Sequence, residues 1–480
     1  MPAPHLAAAA KPTHRGETLA VVLLSALPPL AALLVFGTIS GNDSPSYLAY
    51  ADALRALPLP SGEALLRSSP QPATLFRTPG YPAVLAGLQA LAPERWPLLL
   101  VWLQVAAIAG ASALAHRAAL ALGLGRWPAM AAALMPAAGY ASVVQAMVMT
   151  DALYGALFAS AALVLLRGGL AGGRIGAALL AGSLLGVAML VREATVYLVL
   201  GFLPAAAIAV GRGRRVVAVL LVAAPAVLAA AGLAAWNHGR SGHAVLSTSR
   251  QVVMVQALLP ALAQGVPVYH GDDPYDRILR ETVAPQGYAG IDAANARLFE
   301  AGLASPDIAA LASARYLRAW REHPAAMLRA MGARFPVKML WVTFMPVDMA
   351  AEFYRQTGHP RPWFGQERDL ARRLAGGSPL AGALLLALAA GRAVGLAVAL
   401  GAMLAPVLVP RRDPRWWPLF GTWCVCGGLI GVYLPVHIEQ RYLVPVVPLA
   451  CLLGVAAIAS LGRYRRSRPA PDGRVDAGGV

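Results

Sequence analysis

Residues 216–236 read VVAVLLVAAPAVLAAAGLAAW, without a single charged side chain. A helix of about 20 apolar residues is long enough to cross the hydrocarbon core of a bilayer. Because lipid offers the backbone no hydrogen-bond partner, such a stretch must cross as a helix. Arg212, Arg214 and Arg215 precede it, and Asn237 follows it. The stretch therefore predicts a transmembrane helix with a basic loop at one end.

The rest of the chain repeats this pattern. Of its 480 residues, 58% are hydrophobic and 13% are charged, against about 25% charged in soluble domains. Further apolar runs lie at 19–40, 97–115, 127–150, 152–166, 175–191, 194–210, 379–410, 416–436 and 443–462. Arg392 interrupts the run at 379–410. Its long side chain is expected to reach the interface on the outer side of this same membrane. We predict an all-α polytopic membrane protein with about ten transmembrane helices, in a range of roughly nine to twelve.

The loops between these runs set the expected orientation. Basic loops recur at every second boundary, and loops enriched in Lys and Arg are cytoplasmic. Both termini are then cytoplasmic, in a bacterial inner (plasma) membrane. The predicted segments are a cytoplasmic tail (1–18), a first membrane core (19–236) with a periplasmic loop (41–96), a large periplasmic loop (237–378) with an interfacial helix (323–345), a second core (379–462) and a disordered cytoplasmic tail (463–480).

Several classes of protein and site do not fit the sequence. The net charge of +17 is scattered over loops rather than gathered in a patch, so no nucleic-acid partner is predicted. Cys424, Cys426 and Cys451 lie inside predicted spans, which indicates neither a disulfide framework nor a zinc site. His437 and Glu439 are two metal-ligand candidates, fewer than a protein site uses. No cofactor is indicated, a divalent metal stays open, and a monomer is expected.

Ionisable residues gather where the predicted outer loops meet the membrane: Asp43, Arg77, Asp151, Arg192, Glu193, Glu439 and Arg441. Charges at this depth are costly unless they pair or bind a ligand. Arginine forks grip phosphate oxygens, and a carboxylate can take the proton of a hydroxyl that attacks an activated sugar. The set suits transfer from a lipid-borne phosphate. Asp43 is then the candidate base, and Arg77, Arg192 and Arg441 are candidate phosphate ligands.

Each of these residues also has a structural interpretation. Asp43 or Asp151 can cap a helix through its side chain. Arg77 can be an anchor at the membrane interface. Arg192 and Glu193 can form a turn, or an ion pair that holds two helix ends. The sequence alone leaves these alternatives open.

Short motifs in a fixed order connect the chain to a known group. They are Asp43 with Tyr47, Tyr50 and Ala51, Arg-Thr-Pro-Gly-Tyr-Pro at 77–82, Thr-Asp-Ala-Leu-Tyr at 150–154, and Glu-Gln-Arg-Tyr-Leu-Val-Pro-Val-Val-Pro at 439–448. Together with the segment from Glu322 to Trp341, they make the chain resemble the GT-C membrane glycosyltransferases. The likeness is to the family 39 type branch, which holds protein O-mannosyltransferases and the lipid A aminoarabinose transferase.

The resemblance implies a GT-C-like arrangement with periplasmic juxtamembrane helices. It also implies inverting transfer of a sugar from a polyprenyl-phosphate donor to an envelope glycolipid, polysaccharide or protein. Asp43 is implied as the base, and Arg77 and Arg441 as ligands of the donor phosphate. The mannosyltransferases have Asp-Glu in the first outer loop, whereas Ser44 follows Asp43 here. The candidates for a second carboxylate are Asp151 and Asp52, and those for the substrate pocket are Tyr47, Tyr81, Glu193, Glu439 and Tyr442.

Other functions share some of these features. An O-antigen ligase or polysaccharide polymerase would also have a lipid-linked donor and a large periplasmic loop. A transporter or flippase of lipid-linked sugars usually shows paired repeats and ionisable groups near the bilayer midplane. A non-catalytic assembly partner would tolerate the loss of Asp43, and a transferase would not.

Overall fold

The computed structural model describes residues 14–340, 344, 346–356, 358 and 379–466. Every regular element among these residues is a helix, and they contain no strand. The first helices are α1 (Arg15–Phe36), α2 (Ser44–Arg55), α3 (Gly62–Leu66), α4 (Ala73–Phe76), α5 (Gly80–Leu91), α6 (Trp96–Ala121), α7 (Arg126–Leu134), α8 (Ala141–Val144), α9 (Asp151–Leu170), α10 (Ile175–Val191), α11 (Thr195–Ile208) and α12 (Arg215–Ser241). They are followed by α13 (Arg250–Leu262), α14 (Pro274–Gln286), α15 (Gly290–Glu300), α16 (Ser305–Glu322), α17 (Pro324–Leu340), α18 (Pro346–Gln356), α19 (Pro379–Met403), α20 (Ala405–Leu408), α21 (Trp416–Val436) and α22 (Val447–Arg466). Short 3-10 turns lie at Met135–Ala138, Arg212–Arg214, Gly287–Ala289 and Gln440–Leu443.

Parts of three predicted segments lie outside the described residues. They are residues 1–13 of the first tail, residues 341–343, 345, 357 and 359–378 of the large loop, and residues 467–480 of the last tail. Within the described residues, the predicted interfacial segment 323–345 contains α17. At the other end of the large loop, α12 continues to Ser241, past the predicted boundary at 236.

Most of the predicted runs form single apolar helices. Among the described residues, six helices are long and apolar enough to cross a membrane: Arg15–Phe36, Trp96–Ala121, Asp151–Leu170, Arg212–Ser241, Leu386–Met403 and Trp416–Val436. Three shorter apolar helices, Ile175–Val191, Thr195–Ile208 and Val447–Gly462, coincide with three more runs, and Arg250–Leu262 belongs to the large loop. The all-helical, polytopic fold class is confirmed.

The run at 379–410 contains α19 and the short α20. The run at 127–150 is divided further, and the prediction of a single helix there is wrong. The structure divides it into α7, the 3-10 turn Met135–Ala138 and α8, followed by irregular backbone up to the start of α9. Pro136 lies in the 3-10 turn and has no N–H to continue the α-helical hydrogen bonds. All residues from Ala141 to Thr150 are buried, so protein surrounds this irregular stretch.

Protein groups provide the hydrogen bonds of that irregular backbone. Ile39, just after α1, pairs with the backbone of 146–148 through two hydrogen bonds of 3.0 and 2.9 Å. Gln104 of α6 donates from Nε2 to two carbonyls in 145–147, at 2.8 and 3.0 Å. Non-helical backbone is tolerated at membrane depth when protein satisfies it in this way. These bonds fix the position at which α9 begins with Asp151.

Small residues allow the bundle helices to approach closely. A Cβ atom added to Gly428 of α21 would lie 2.8 Å from the Cα atom of Gly201 in α11. A Cβ atom added to Gly182 of α10 would lie 1.9 Å from the carbonyl oxygen of Leu221 in α12. In lipid, helices associate through such close van der Waals contact rather than through the hydrophobic effect.

Four helices of the large loop, α13 to α16, form a separate core and are called the loop helices below. Their buried side chains include Leu258, Tyr275, Leu279, Leu298 and Ile308. Several hydrogen bonds tie this region to residues 41–96 and to the bundle end. The N–H of Thr248 donates to the carbonyl of Leu75 at 2.8 Å, and the hydroxyl of Tyr316 donates to the carbonyl of Pro435 at 3.1 Å. The loop helices therefore lie at the bundle end where α21 ends.

Candidate active site

Asp43 lies in the connection between α1 and α2. Gly37 follows α1 with a φ of 68°, a conformation that glycine adopts without steric cost. Ser44 fixes the connection, because its Oγ donates to the carbonyl of Val148 at 2.7 Å and accepts from the N–H of Gly41 at 2.8 Å. Asp43 directly precedes α2, but its side chain makes no capping hydrogen bond. The carboxylate is directed to other partners.

Two arginines hold the two oxygens of the Asp43 carboxylate. Arg77 donates from Nη2 to Oδ1 at 2.7 Å, and Arg441 donates from Nη1 to Oδ2 at 2.6 Å. Arg77 directly follows α4, and Arg441 lies in the 3-10 turn Gln440–Leu443 after α21. The Asp43 side chain is 22% exposed. The fold therefore joins three of the predicted site residues in one hydrogen-bonded group that solvent still reaches.

A serine and two aromatic rings fix Arg77. Its Nε donates to the Oγ of Ser46 at 2.8 Å. Its guanidinium lies over the rings of Tyr47 and Phe76, with its central carbon 4.7 and 4.6 Å from the ring centroids. Contacts of a guanidinium with aromatic faces are favourable, more so where water is partly excluded. The plane of the Arg77 fork is thus set by groups other than Asp43.

A carboxylate and a histidine fix Arg441 in a similar way. The Nε of Arg441 donates to Glu439 Oε2 at 2.5 Å. The other oxygen of Glu439, Oε1, lies 3.0 Å from His437 Nε2. Across the described residues, no group of three or more His, Cys, Asp or Glu side chains could hold a metal ion. His437 and Glu439 thus orient an arginine in this structure.

A second ion pair lies buried beside this group. Arg192 donates from Nη1 to Asp151 Oδ1 at 2.7 Å, and the Asp151 side chain is fully buried. The Arg192 guanidinium lies 4.6 Å from the ring centroid of Tyr442, and that of Arg441 lies 5.2 Å from the same centroid. Tyr442 therefore lies against both arginines and links the buried pair to the Asp43 group.

Glu193 contacts the large loop and does not pair with its neighbour Arg192. Its Oε1 accepts hydrogen bonds from Ser247 Oγ at 2.9 Å and Ser249 Oγ at 2.6 Å. Because Ser249 immediately precedes α13, these bonds tie the turn between α10 and α11 to the first of the loop helices. The two neighbours therefore have separate partners on different parts of the chain.

Burial and the arginines act in opposite directions on the acidic groups. Burial acts to raise the pKa of the Asp43 carboxyl, but the charges and hydrogen bonds of Arg77 and Arg441 outweigh it and hold this pKa well below its ordinary value. Burial of Glu439 is likewise outweighed by the hydrogen bond of His437 and the charge of Arg441, which lower the Glu439 pKa to about 2. Both carboxylates are ionised at neutral pH, and Asp43 in this state is a weak proton acceptor.

Two further predicted site residues, Asp52 and Tyr81, also lie outside the Asp43 group. Asp52 of α2 is 65% exposed and pairs with Arg55 at 3.8 Å. Tyr81 is fully buried against Tyr47, with ring centroids 5.2 Å apart, and its hydroxyl donates to Gln104 at 3.4 Å. Asp52 thus lies on the solvent side of α2, and Tyr81 supports the ring of Tyr47 from within the protein.

Sequence reasoning missed several residues that complete the site. They are Ser46, Ser247, Ser249, Tyr288 and Tyr433, and the last of these stacks on Tyr442 with ring centroids 5.1 Å apart. The available signal was polar sequence beside the motifs, in Ser44–Ser46 and in Ser247–Ser249. Tyr288 belongs to the 3-10 turn Gly287–Ala289 and is exposed. Burial of part of its side chain raises the pKa of its phenol, and the charges of Glu439 and Asp43 raise it further.

The comparisons with known proteins give one likeness. No protein-family model matches the chain, and no curated protein matches it. The chain is similar to crystal structures of ArnT from Cupriavidus metallidurans, in the apo state and bound to undecaprenyl phosphate. Sequence identity is 15% and 16%, the matches cover 93% and 92% of this chain and 78% of each ArnT chain, and the TM-score is 0.31 in both. The likeness extends over most of the chain.

Proposed function

We propose that the protein is an inverting glycosyltransferase of the GT-C type, which moves a sugar from a polyprenyl-phosphate donor to an envelope acceptor. The observation that carries the proposal is Asp43 held between Arg77 and Arg441 at one end of an apolar helix bundle. That group supplies a base and two phosphate-binding forks at the boundary of the membrane. A lipid-borne phosphate would arrive at the same depth.

In the proposed reaction, an acceptor hydroxyl gives its proton to Asp43 as its oxygen forms a bond to the anomeric carbon of the sugar. The bond between that carbon and the phosphate oxygen breaks, and its electron pair leaves with the polyprenyl phosphate. Arg77 and Arg441 stabilise the negative charge that grows on the leaving group. Attack from the side opposite the phosphate inverts the anomeric configuration.

The remaining predicted residues take supporting roles in this proposal. The buried Asp151–Arg192 pair supports the Arg441 side of the site through Tyr442, and Glu193 holds the large loop in place. The exposed Tyr288 of that loop is the candidate contact for the acceptor. The predicted cytoplasmic position of the basic loops supports a site on the periplasmic face of the inner membrane. The acceptor classes are a glycolipid, a polysaccharide or a protein.

The proposal is tested in cells that lack the chromosomal copy of the gene and carry wild type, Asp43→Asn or Asp52→Asn. Mass spectrometry compares their envelope glycans and prenyl-linked sugars with those of the deletion strain. Asp43→Asn should insert normally, lose the glycan that the deletion loses, and accumulate prenyl-phosphate sugar. Asp52→Asn removes the same charge from the exposed side of α2 and should match wild type.

The alternatives give different results in the same experiment. A transporter, a flippase or an assembly partner needs no base, so Asp43→Asn would match wild type while the deletion shows its defect. That result would overturn the transferase proposal. If the lost product is a whole polymer attached to lipid, the protein acts as a ligase or polymerase instead of transferring a single sugar.

A further inference from the structure

The hydrogen bonds of the Asp43 group raise a difficulty for a general base. Both carboxylate oxygens of Asp43 already accept from arginines, at 2.7 and 2.6 Å. A base works best when its pKa lies near the operating pH, and two bound guanidinium groups hold it far from that range. In the conformation seen here, Asp43 is paired rather than poised to take a proton.

The two arginines are built so that one contact can change while another stays. Each is anchored at Nε by a different group, Arg77 by Ser46 at 2.8 Å and Arg441 by Glu439 at 2.5 Å. Each reaches Asp43 through an Nη atom. If another acceptor replaces Asp43 at the Nη atoms, the bonds at Nε still hold both guanidinium groups in the same orientation. The planar fork that fits a carboxylate also fits a phosphate.

Asp43 is also the carboxylate that both arginines share, and a ligand can replace it; Glu439, which is 31% exposed, pairs with only one of the two, Arg441. The Asp43 side chain is 22% exposed, whereas the Asp151 side chain that pairs with Arg192 is fully buried. The phosphodiester of the proposed donor carries one negative charge and two free oxygens, as the carboxylate does, and arginine forks bind both groups in the same way. The phosphodiester can therefore compete for the two Nη atoms from the exposed side.

We propose that Asp43 occupies the anion position between Arg77 and Arg441 in the ligand-free protein, and that binding of the donor phosphate moves both arginines onto the phosphate and releases Asp43 to act as the base. The inference rests on the proposed function for the identity of the ligand. The exchange would make base strength depend on the presence of the donor. An acceptor hydroxyl would then be deprotonated only when a sugar is in place to receive it.

The exchange makes an unusual prediction about affinity. Because the Asp43 carboxylate competes with the ligand, a neutral amide at this position should strengthen phosphate binding even though it abolishes transfer. We expect Asp43→Asn to bind undecaprenyl phosphate about tenfold more tightly than wild type, the factor that applies if the binding-competent arrangement is populated roughly one-tenth of the time. An Asp43 that only contacts or positions the ligand would give unchanged or weaker binding.

The experiment measures binding to the full chain in lipid nanodiscs, with wild type, Asp43→Asn and the matched control Asp52→Asn. The probes are undecaprenyl phosphate, undecaprenol and inorganic phosphate. Tighter binding of undecaprenyl phosphate by Asp43→Asn, with Asp52→Asn at the wild-type value and undecaprenol unaffected, supports the exchange. An equal gain for inorganic phosphate also supports it and shows that the headgroup suffices. Unchanged or weaker binding by folded Asp43→Asn overturns the inference.

A second measurement uses the wild-type protein alone and decides the matter if Asp43→Asn does not fold. The acid limb of the transfer rate should lie at higher pH under saturating donor, which reports the donor complex, than in kcat/KM for the donor, which reports the free protein. Coincident acid limbs overturn the exchange. Failure of the proposed function looks different, because wild type would then show neither transfer nor any preference for undecaprenyl phosphate over undecaprenol.

Discussion

Asp43 and Asp276 are each held by two arginines, one at the end of the helix bundle and the other among the loop helices. Asp276 accepts from Arg315 Nε at 2.6 Å and from Arg318 Nη2 at 2.8 Å. It also accepts from the backbone N–H of Gly271 at 2.8 Å. By the chemistry of the paired groups alone, the two clusters are nearly the same.

They differ in access and in the origin of the arginines. The Asp276 side chain is 0% exposed, against 22% for Asp43. Both arginines of Asp276 belong to α16, and a backbone amide completes its shell. Asp43 has arginines from opposite ends of the sequence, and part of its surface is open. A closed ion pair of this kind stabilises a fold, whereas an open pair between distant segments can exchange partners with a ligand.

The largest expected effect is on catalysis. Asp43→Asn should lower transfer by roughly 10²- to 10⁴-fold, the usual contribution of a general base, while Asp276→Asn should lower it only as far as folded protein is lost. The measurement is product formed per mole of folded protein, from glycan mass spectrometry and quantified membrane fractions. Equal losses per folded molecule in both variants would remove the distinction between the two clusters.

For the stability of the loop helices, Asp276→Asn should have a larger effect than Asp43→Asn. Asp276→Asn removes the fully buried carboxylate that joins Arg315 and Arg318, which then keep only Asp273 and Glu322 as acidic partners among the described residues. This change should destabilise the loop helices by about 1–3 kcal/mol. Asp43→Asn should change the opening of the loop helices less than this, because Asp43 lies outside them and solvent reaches its carboxylate. Hydrogen exchange of the loop helices in the full chain measures both, with Asp52→Asn as the reference. Loop helices that open equally in both variants would contradict this prediction.

Replacing arginine by lysine tests whether the open cluster recognises shape as well as charge. Arg77→Lys and Arg441→Lys keep the positive charge but lose the planar fork, so each should weaken undecaprenyl phosphate binding about tenfold. Arg55→Lys, on the exposed side of α2, is the matched control and should bind like wild type. Binding that is unchanged in all three variants would mean that charge alone accounts for the site.

The smallest expected effect concerns acid stability. Burial acts to raise the Glu439 pKa, but the hydrogen bond of His437 and the charge of Arg441 outweigh it and lower this pKa from 4.5 to about 2. A carboxyl whose pKa is lower in the folded state contributes stability that is complete above the unfolded pKa and is lost as the pH falls towards the folded one. The Tm of wild type should therefore fall between pH 4.5 and about 2, and that of Glu439→Gln should fall less steeply. Superimposable curves of Tm against pH would show that Glu439 contributes nothing.

The sequence predicts that the site residues share one side of the membrane, but it does not predict how they pair. Asp43 and Arg441 lie next to apolar runs and Arg77 lies in the loop between two runs, so the order of these runs predicts that all three are on one side of the membrane. Which carboxylate meets which arginine depends on contacts between positions 398 residues apart. No local sequence pattern predicts such a contact. The hydrogen bonds of both arginines to one carboxylate are therefore seen only in the folded chain.

The broken run at 127–150 shows a second limit of sequence reasoning. Hydropathy measures side chains and contains nothing about whether backbone groups find partners. Pro136 and Gly139 were signals of an interruption, and Gln104 in the run at 97–115 was a signal of a buried amide. The packing of the loop helices was also beyond prediction, because their core joins residues from four separate helices.

The irregular backbone at 145–148 cannot enter lipid by itself during biosynthesis. Its hydrogen-bond partners, Gln104 and Ile39, belong to earlier parts of the chain, and each unpaired group in hydrocarbon costs several kcal/mol. We expect Gln104→Leu to leave the insertion of α1 and α6 intact but to expose Ala146→Cys to a thiol reagent; full protection of that cysteine would contradict this. For this part of the chain, insertion and folding are thus separate events: apolar side chains drive the first, and one buried amide completes the second.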